Sequence, residues 1–350
     1  MSLSNRMRDQ MSPAPTEVIV DLIHRGAMAQ VAYVAAELCI ADHLASAPMR
    51  VCELAQATGA HTQSLHRLVR ALVTLGLCIE RNDGSFALSQ AGSLLRADAG
   101  DSLRSWLLWF GRYQWAVWGD LLHTVRTGEG ARKRATGSDG FGLFDRDPDA
   151  APVFNMAMVQ LTRIIANEVV RAYDFGRVRK IVDVGGGHGA LLEVILKGNS
   201  DLHGMLLDRP YAIEGARKLL RQAGVANRCD FMPGDFFEAI PPGADLYILK
   251  NIVHDWDDER ASLILRNCRH AIASGGRLLL VERIVPARLE VSSSHRIVAH
   301  ADLTMMLGPG GRERREAEFR ALLHTSGFEL TSVKPISLAY SMLEASTTPE

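Results

Sequence analysis

The chain has 350 residues, 47% of them hydrophobic and 23% charged, with a formal net charge of −1. That apolar content and small charge exclude disorder along the whole chain. The neutral balance argues against nucleic acid or an anionic membrane as the main partner, and the length predicts about two domains at roughly 150 residues each.

Met1 to Thr16 is polar and lacks the apolar core of a signal peptide. No stretch reaches ~18 uninterrupted apolar residues, so no membrane span is expected. Residues 18–47, Ala-rich and broken by Gly26, read as one or two buried helices. VCELAQATGA and HTQSLHRLVRALVTLGLCIE then read as helix, turn and helix, followed by two short strands around Asn82-Asp83-Gly84. This is the outline of a winged helix-turn-helix. Its net charge from Val51 to Arg96 is only +1, and its second helix carries just Arg67 and Arg70. A DNA reader needs a basic face to neutralise phosphates, so a structural or dimerisation role is expected instead. Residues 102–118 hold four of the five Trp at helical spacing, which reads as core or subunit interface, or as an aromatic wall for a planar ligand; residues 128–149 read as a Gly-rich charged loop, and 152–175 as a long helix. The five cysteines (39, 52, 78, 229, 268) are scattered with no C-x-x-C pair. They predict a reducing, cytoplasmic setting without disulfides, and neither they nor the histidines form an obvious metal-ligand cluster.

From Lys180 the pattern alternates strands with helices of 10–15 residues, which predicts an α/β, doubly wound parallel sheet closed by a terminal antiparallel pair. DVGGGHGA, 183–190, sets glycines between a strand and a helix, where backbone approaches a ligand closely. Gly185-x-Gly187-x-x-Ala190 formally satisfies the dinucleotide fingerprint, with Asp208 about 20 residues on, so an NAD-dependent oxidoreductase is one reading. Asp208, Asp235 and Lys250 fall at successive strand ends, where ligands of parallel sheets bind. Lys250 is one of only six Lys among 39 basic residues. It opens Asn251-Ile252-Val253-His254-Asp255-Trp256-Asp257-Asp258, which sets a histidine beside an acid on the ligand side.

Taken in order, DVGGGHG, LLDRP, PGDFF, LKNIVHDWDDE, LLLVERIVP and GGRERREAEF resemble the S-adenosylmethionine-dependent small-molecule O-methyltransferases, the plant caffeate and flavonoid enzymes and bacterial antibiotic-pathway enzymes. The resemblance covers nearly the whole chain. It implies a class I methyltransferase (Rossmann-like) sheet behind an N-terminal helical, winged-helix-like domain that forms a homodimer. The implied domains are 1–100 for dimerisation, 101–176 for connecting helices contributing to the acceptor pocket, and 177–350 for S-adenosylmethionine binding and catalysis. Gly185 and Gly187 would lie against the methionine moiety, Asp208 on the ribose, Asp235 and Phe236 at the adenine with Trp256 covering it, and Lys250 on the cofactor. His254 matches the general base, and Glu282 and Glu313 match the acids that hold it.

The chemistry suits these residues. A neutral phenol is a poor nucleophile, and a histidine with its ordinary pKa near 6.5 accepts a proton near neutrality. No metal is called for. By the same resemblance, Phe154, Met158, Asp302, Met305 and Met306 bound an acceptor pocket for a flat aromatic hydroxyl compound of the polyketide, anthracycline or phenazine type. The methionines also read as core filling. Methyltransferase-fold chemistry other than transfer, such as hydroxylation or decarboxylation, is a further reading that the intact His254, Glu282 and Glu313 argue against.

Overall fold

The computed structural model describes residues 14–137, 142–147 and 149–348. The polar stretch at 1–13 and parts of the expected Gly-rich loop, 138–141 and 148, lie outside the described residues. The chain divides into two compact units, Met1–Gly111 and Arg112–Glu350. The stretch 101–176, expected to connect the domains, is therefore shared between them.

In the first unit one helix runs unbroken through Gly26 from Pro15 to Glu37, and the chain breaks instead at Cys39, whose φ is +52°. Only Ala35 and Ala36 of this helix are buried, while Ile19, Leu22 and Ile23 are 60–68% exposed. This corrects the expectation of buried helices. The sequence carries apolar residues all round, yet the single chain supplies cover for the C-terminal end alone. The helix is also long and apolar enough, by length and composition, to cross a membrane. That corrects the expectation of no such segment, because Asp21, His24 and Arg25 interrupt the run without lowering its average much. Helices Val51–Thr58 and Thr62–Thr74 pack Leu54, Leu65, Val69 and Leu72 against Ile40 and Phe86. The strands β2 (Cys78–Glu80) and β3 (Ser85–Leu88) follow as the wing and pair with β1 (Met49–Arg50), which precedes the two helices, in the antiparallel order β1-β3-β2.

The second unit is built on β4 (Lys180–Val184), β5 (His203–Asp208), β6 (Cys229–Pro233), β7 (Leu246–Lys250), β8 (Arg277–Arg283), β9 (Phe328–Pro335) and β10 (Tyr340–Thr347). They line up as β6-β5-β4-β7-β8-β10-β9, parallel from β6 to β8, with β10 antiparallel to both neighbours. Side chains alternate between two cores because strand residues point to opposite faces. Val182, Leu249 and Leu280 pack on one face with helix Asp258–Ala271, and Ile181, Ile248 and Leu279 on the other with helices Ala150–Ala172, Ala190–Gly198 and Pro210–Gln222. The chain winds outward one way from β4 through β5 and β6, then the other way from β7. This opens a crevice beyond the carboxyl ends of β4 and β7, the switch point where such sheets bind ligands.

Two connections differ from expectation. The Trp-rich segment is two α-helices, Arg104–Trp109 and Trp115–Gly119, joined by a π-turn over Phe110–Gln114. Trp109 is buried and Trp115 exposed. The Gly-rich loop contains helices Ala131–Thr136 and Leu143–Arg146, the first ended by Gly137 in the left-handed region. Ala131 packs there with Val117 and Leu307, a tertiary contact that local composition does not announce.

Candidate active site

β4 ends at Val184 and delivers Gly185, Gly187 and Gly189 with φ of +71°, +58° and +79°, a region open to glycine and strained for other residues. A Cβ on Gly185 would overlap Ile252 and crowd Phe236, whereas one on Gly187 would meet nothing within 4 Å. The first glycine is thus closed from behind by the loop after β7, and the second faces open space. The Gly187 amide donates to Asp208 Oδ2 at 2.7 Å, and the Arg209 amide to Oδ1 at 2.6 Å, at the end of β5. Burial raises the Asp208 carboxyl above its ordinary value against those bonds. Two residues past β6, Asp235 accepts from the Phe237 amide and pairs with Arg209, both at 2.9 Å. Phe236 meets the Trp256 ring edge-on at 6.3 Å.

Beneath this loop lies Asp183, which sequence reasoning passed over although it is the first letter of DVGGGHG. Its carboxyl is 1% exposed, Oδ2 is buried without a hydrogen bond, and burial with repulsion from Asp208 pushes its pKa up to about 7. An orphaned carboxylate there repels a pyrophosphate and favours a ligand bearing ammonium or sulfonium charge. It therefore weighs against the dinucleotide reading and fits S-adenosylmethionine, as does the open cradle at Gly187. Lys250 closes β7, with its pKa pushed down to about 8 by burial and by Arg283, against the pull of Glu282, Asp183 and Asp255.

Beyond Lys250 the 3-10 turn Val253–Asp255 sets His254 inward, 4% exposed. Its Nδ1–H donates to Glu313 Oε1 at 3.0 Å, with Glu282 Oε2 at 3.6 Å from the same nitrogen. A carboxylate only accepts, so Nδ1 carries a proton and Nε2 is the nitrogen turned elsewhere. Asp255 Oδ1 stands 3.6 Å from Nε2. Glu282, fully buried on β8, is itself fixed by the amides of Ile252 at 3.0 Å and Val253 at 2.9 Å. Burial alone would lower the histidine pKa. Glu282, Glu313 and Asp255 together outweigh it and raise the ring to about 9, above the ordinary value the sequence analysis assumes. Glu282 and Asp255 are each pushed up to about 6, chiefly by burial.

Ligand atoms of His254, Glu282 and Glu313 all lie within 4.8 Å of one another, a spacing that would also suit a metal ion. This corrects the reading that the chain has no such cluster. Its members come from three distant segments, so no sequence spacing reveals it. The bond from Nδ1–H and the two amides on Glu282 are what a held base requires.

The structure thus brings together Gly185, Gly187, Asp208, Lys250, His254, Glu282 and Glu313 at one edge of the sheet, with Asp235, Phe236 and Trp256 beside them. The acceptor candidates are placed by helix face. Phe154 and Met158 share a face of helix Ala150–Ala172, where Phe154 meets Phe144 at 5.0 Å. Asp302, Met305 and Met306 share a face of helix Ser293–Leu307. Asp302 has an internal task, since its Oδ1 accepts from the Glu313 amide at 2.9 Å. On the same helix His300 stacks on Trp118 at 4.8 Å. Two buried arginines were not anticipated: Arg132, near enough to Asp255 to favour its ionised form, and Arg314.

Family models of the O-methyltransferase domain and the O-methyltransferase dimerisation domain match residues 118–329 and 20–98. A phenazine O-methyltransferase of Lysobacter antibioticus is 38% identical over 330 residues, covering 94% of this chain and 96% of its own. A mitomycin biosynthesis 6-O-methyltransferase of Streptomyces lavendulae is 37% identical, covering 92% and 91%. Among solved structures, an O-methyltransferase from neocarzinostatin biosynthesis, in complex with S-adenosylmethionine and 2-hydroxy-5-methyl naphthoic acid, superposes with a TM-score of 0.76 at 33% identity, covering 92% and 96%. With both domain models on the chain and relatives similar over nearly all of it, the protein belongs to the S-adenosylmethionine-dependent O-methyltransferase family.

Proposed function

We propose that the enzyme methylates an aromatic hydroxyl of a small secondary metabolite, of the polyketide, anthracycline or phenazine type, with His254 as general base. The observation that carries this reading is the buried His254 whose Nδ1–H is held by Glu313 at 3.0 Å, leaving Nε2 to receive a proton. The phenazine and mitomycin enzymes among its relatives support the acceptor class. When bound, S-adenosylmethionine supplies an electrophilic methyl on a sulfonium, which the hydroxyl oxygen attacks in line.

The protein's contribution is binding, orientation and proton acceptance. Gly185, Gly187, Asp208, Asp235, Phe236, Lys250 and Trp256 hold the methyl donor, and the unpartnered Asp183 oxygen favours its positive charge. Phe154, Met158, Met305 and Met306, with Asp302 behind them, bound the aromatic acceptor. Glu282 and Glu313 fix the ring of His254 and strengthen it as a base. A phenol ionises near 10, so an ordinary imidazole at 6.5 would take its proton uphill by about 5 kcal/mol. With the ring raised to about 9, the step is uphill by only about 1 kcal/mol. Holding oxygen and methyl in line supplies much of the remaining acceleration. The exposed apolar side of helix Pro15–Glu37, within the dimerisation domain, meets a second copy, and the enzyme works as a cytoplasmic homodimer.

The test is His254→Ala, assayed by the mass gain of one methyl across a panel of phenols. Turnover should fall by ~10²–10⁴ with cofactor binding retained by calorimetry. Near-wild-type turnover with normal cofactor binding would overturn the assignment.

A further inference from the structure

Arg314 is fully buried, and its guanidinium is spent on one short loop. Nη1 donates to the Val253 carbonyl at 2.8 Å, Nη2 to the Trp256 carbonyl at 2.7 Å, and Nε to Asp258 Oδ1 at 2.9 Å. The two carbonyls bracket His254 and Asp255. They lie at the two ends of the 3-10 turn: the Val253 carbonyl already accepts from the Trp256 amide at 3.4 Å and takes the guanidinium as a second donor, while the Trp256 carbonyl lies just past the turn's end. The backbone around Arg314 is tied to the same machinery. Its carbonyl accepts from Val285 at 2.9 Å, just past the strand that carries Glu282, and the Arg312 amide donates to the His254 carbonyl at 2.9 Å. Gly311 passes so close that a Cβ there would overlap the His254 carbonyl. Glu313, between Arg312 and Arg314, holds Nδ1 of the histidine.

We propose that Arg314 is a positioning residue that sets the turn carrying His254 and the Trp256 backbone in one register, so that base and cofactor wall are placed by a single fork. A guanidinium presents its N–H donors in a rigid fork that serves these three acceptors at once, whereas a lysine ammonium at this depth bonds one or two of them in a different geometry. The reading rests on His254 as base for its chemical arm alone, since the Trp256 arm concerns cofactor affinity.

The experiment compares wild type, Arg314→Lys and Asp258→Ala in the full-length enzyme. It measures S-adenosylmethionine affinity by calorimetry and the pH profile of kcat at saturating substrates, at temperatures where circular dichroism shows each protein folded. Arg314→Lys should weaken cofactor binding about 10-fold and lower kcat by ~10–10², because small misplacements of reacting groups are costly. Its rising pH limb should move down as the Glu313–His254 bond slackens. Asp258, 60% exposed, can be removed without burying anything, and its loss should shift affinity and pH limb the same way by smaller amounts. A folded Arg314→Lys with lower thermal stability but unchanged affinity and pH limb would overturn the proposal. If Arg314→Lys does not fold, an Asp258→Ala enzyme with both readouts unchanged overturns it. If His254 proves not to be the base, the loss of cofactor affinity in Arg314→Lys still separates this proposal from that failure.

Discussion

Replacing Glu313 by Gln removes a negative charge 3.0 Å from Nδ1 of His254 while keeping the size of the side chain. The reactive form of a general base is deprotonated, so kcat rises with pH through the histidine pKa. Raised to about 9, that pKa places the wild-type limb on the alkaline side. At pH 7 about one molecule in a hundred then carries the neutral ring, since each pH unit is tenfold. An opposite charge within a few ångström accounts for roughly 1–3 pH units of such a shift. Glu313→Gln should therefore move the midpoint down by about that amount. Its plateau should fall by no more than the whole general-base contribution, ~10²–10⁴. The variant then loses less at pH 7 than at pH 9, because a weaker base is more often free to act. The assay is single-turnover methyl transfer followed by mass spectrometry from pH 6 to 10, with His254→Ala as the control for ionisation of the acceptor itself. A wild-type midpoint near 6.5, or a Glu313→Gln midpoint still near 9, would refute the reasoning.

Three further outcomes follow from the same geometry. Gly185→Ala should destabilise the folded protein markedly, because its Cβ overlaps Ile252, whereas Gly187→Ala should cost only the ~1–2 kcal/mol of a left-handed backbone yet lose cofactor affinity; thermal melts with and without S-adenosylmethionine separate the two. Asp183→Asn removes an unpartnered buried carboxylate, so the free enzyme should melt higher while the shift produced by S-adenosylmethionine shrinks. Charging the exposed helix face with Ile19→Lys and Ile23→Lys should convert the dimer to monomer by gel filtration with light scattering, and a dimer that persists would place the interface elsewhere.

The doubly wound sheet was legible because the strands of its parallel half are short, largely apolar runs that end in glycine or a charged residue, as in KIVDVGGG and LYILK. The residues at those strand ends, Gly185, Asp208 and Lys250, could be named from order alone. What could not be read is whatever depends on segments meeting across the chain. Arg314 is one of four arginines between 312 and 320, with no local mark of its burial. Arg132 lies in a stretch rich in Gly and charge that reads as loop, and becomes helix only because Ala131 docks against Val117 and Leu307. Asp302 reads as a pocket acid, and its partner, the Glu313 amide, is eleven residues away across a turn. The exposure of Ile19 and Ile23 was hidden for the opposite reason: their apolarity is local, but the single chain packs nothing against them.

A chain of net charge −1 gathers five of its 40 acids at the carboxyl edge of its sheet. Asp183, Asp208, Asp255, Glu282 and Glu313 gather around the crevice, and burial raises the first four of them. Lys250 stands between the groups, attracted by Asp183 on the cofactor side and by Glu282 and Asp255 on the side of the base. The five acids outnumber Lys250, Arg132 and Arg283 beside them, which leaves the crevice biased toward cations, a bias that neither composition nor overall charge reveals. That bias has two effects of the same sign. It favours a positively charged methyl donor over an anionic dinucleotide, and it makes His254 a stronger base than a free imidazole. The donor's charge and the proton removed from the acceptor are therefore handled by one electrostatic field, and weakening any one acid should disturb both donor affinity and the pH limb of catalysis.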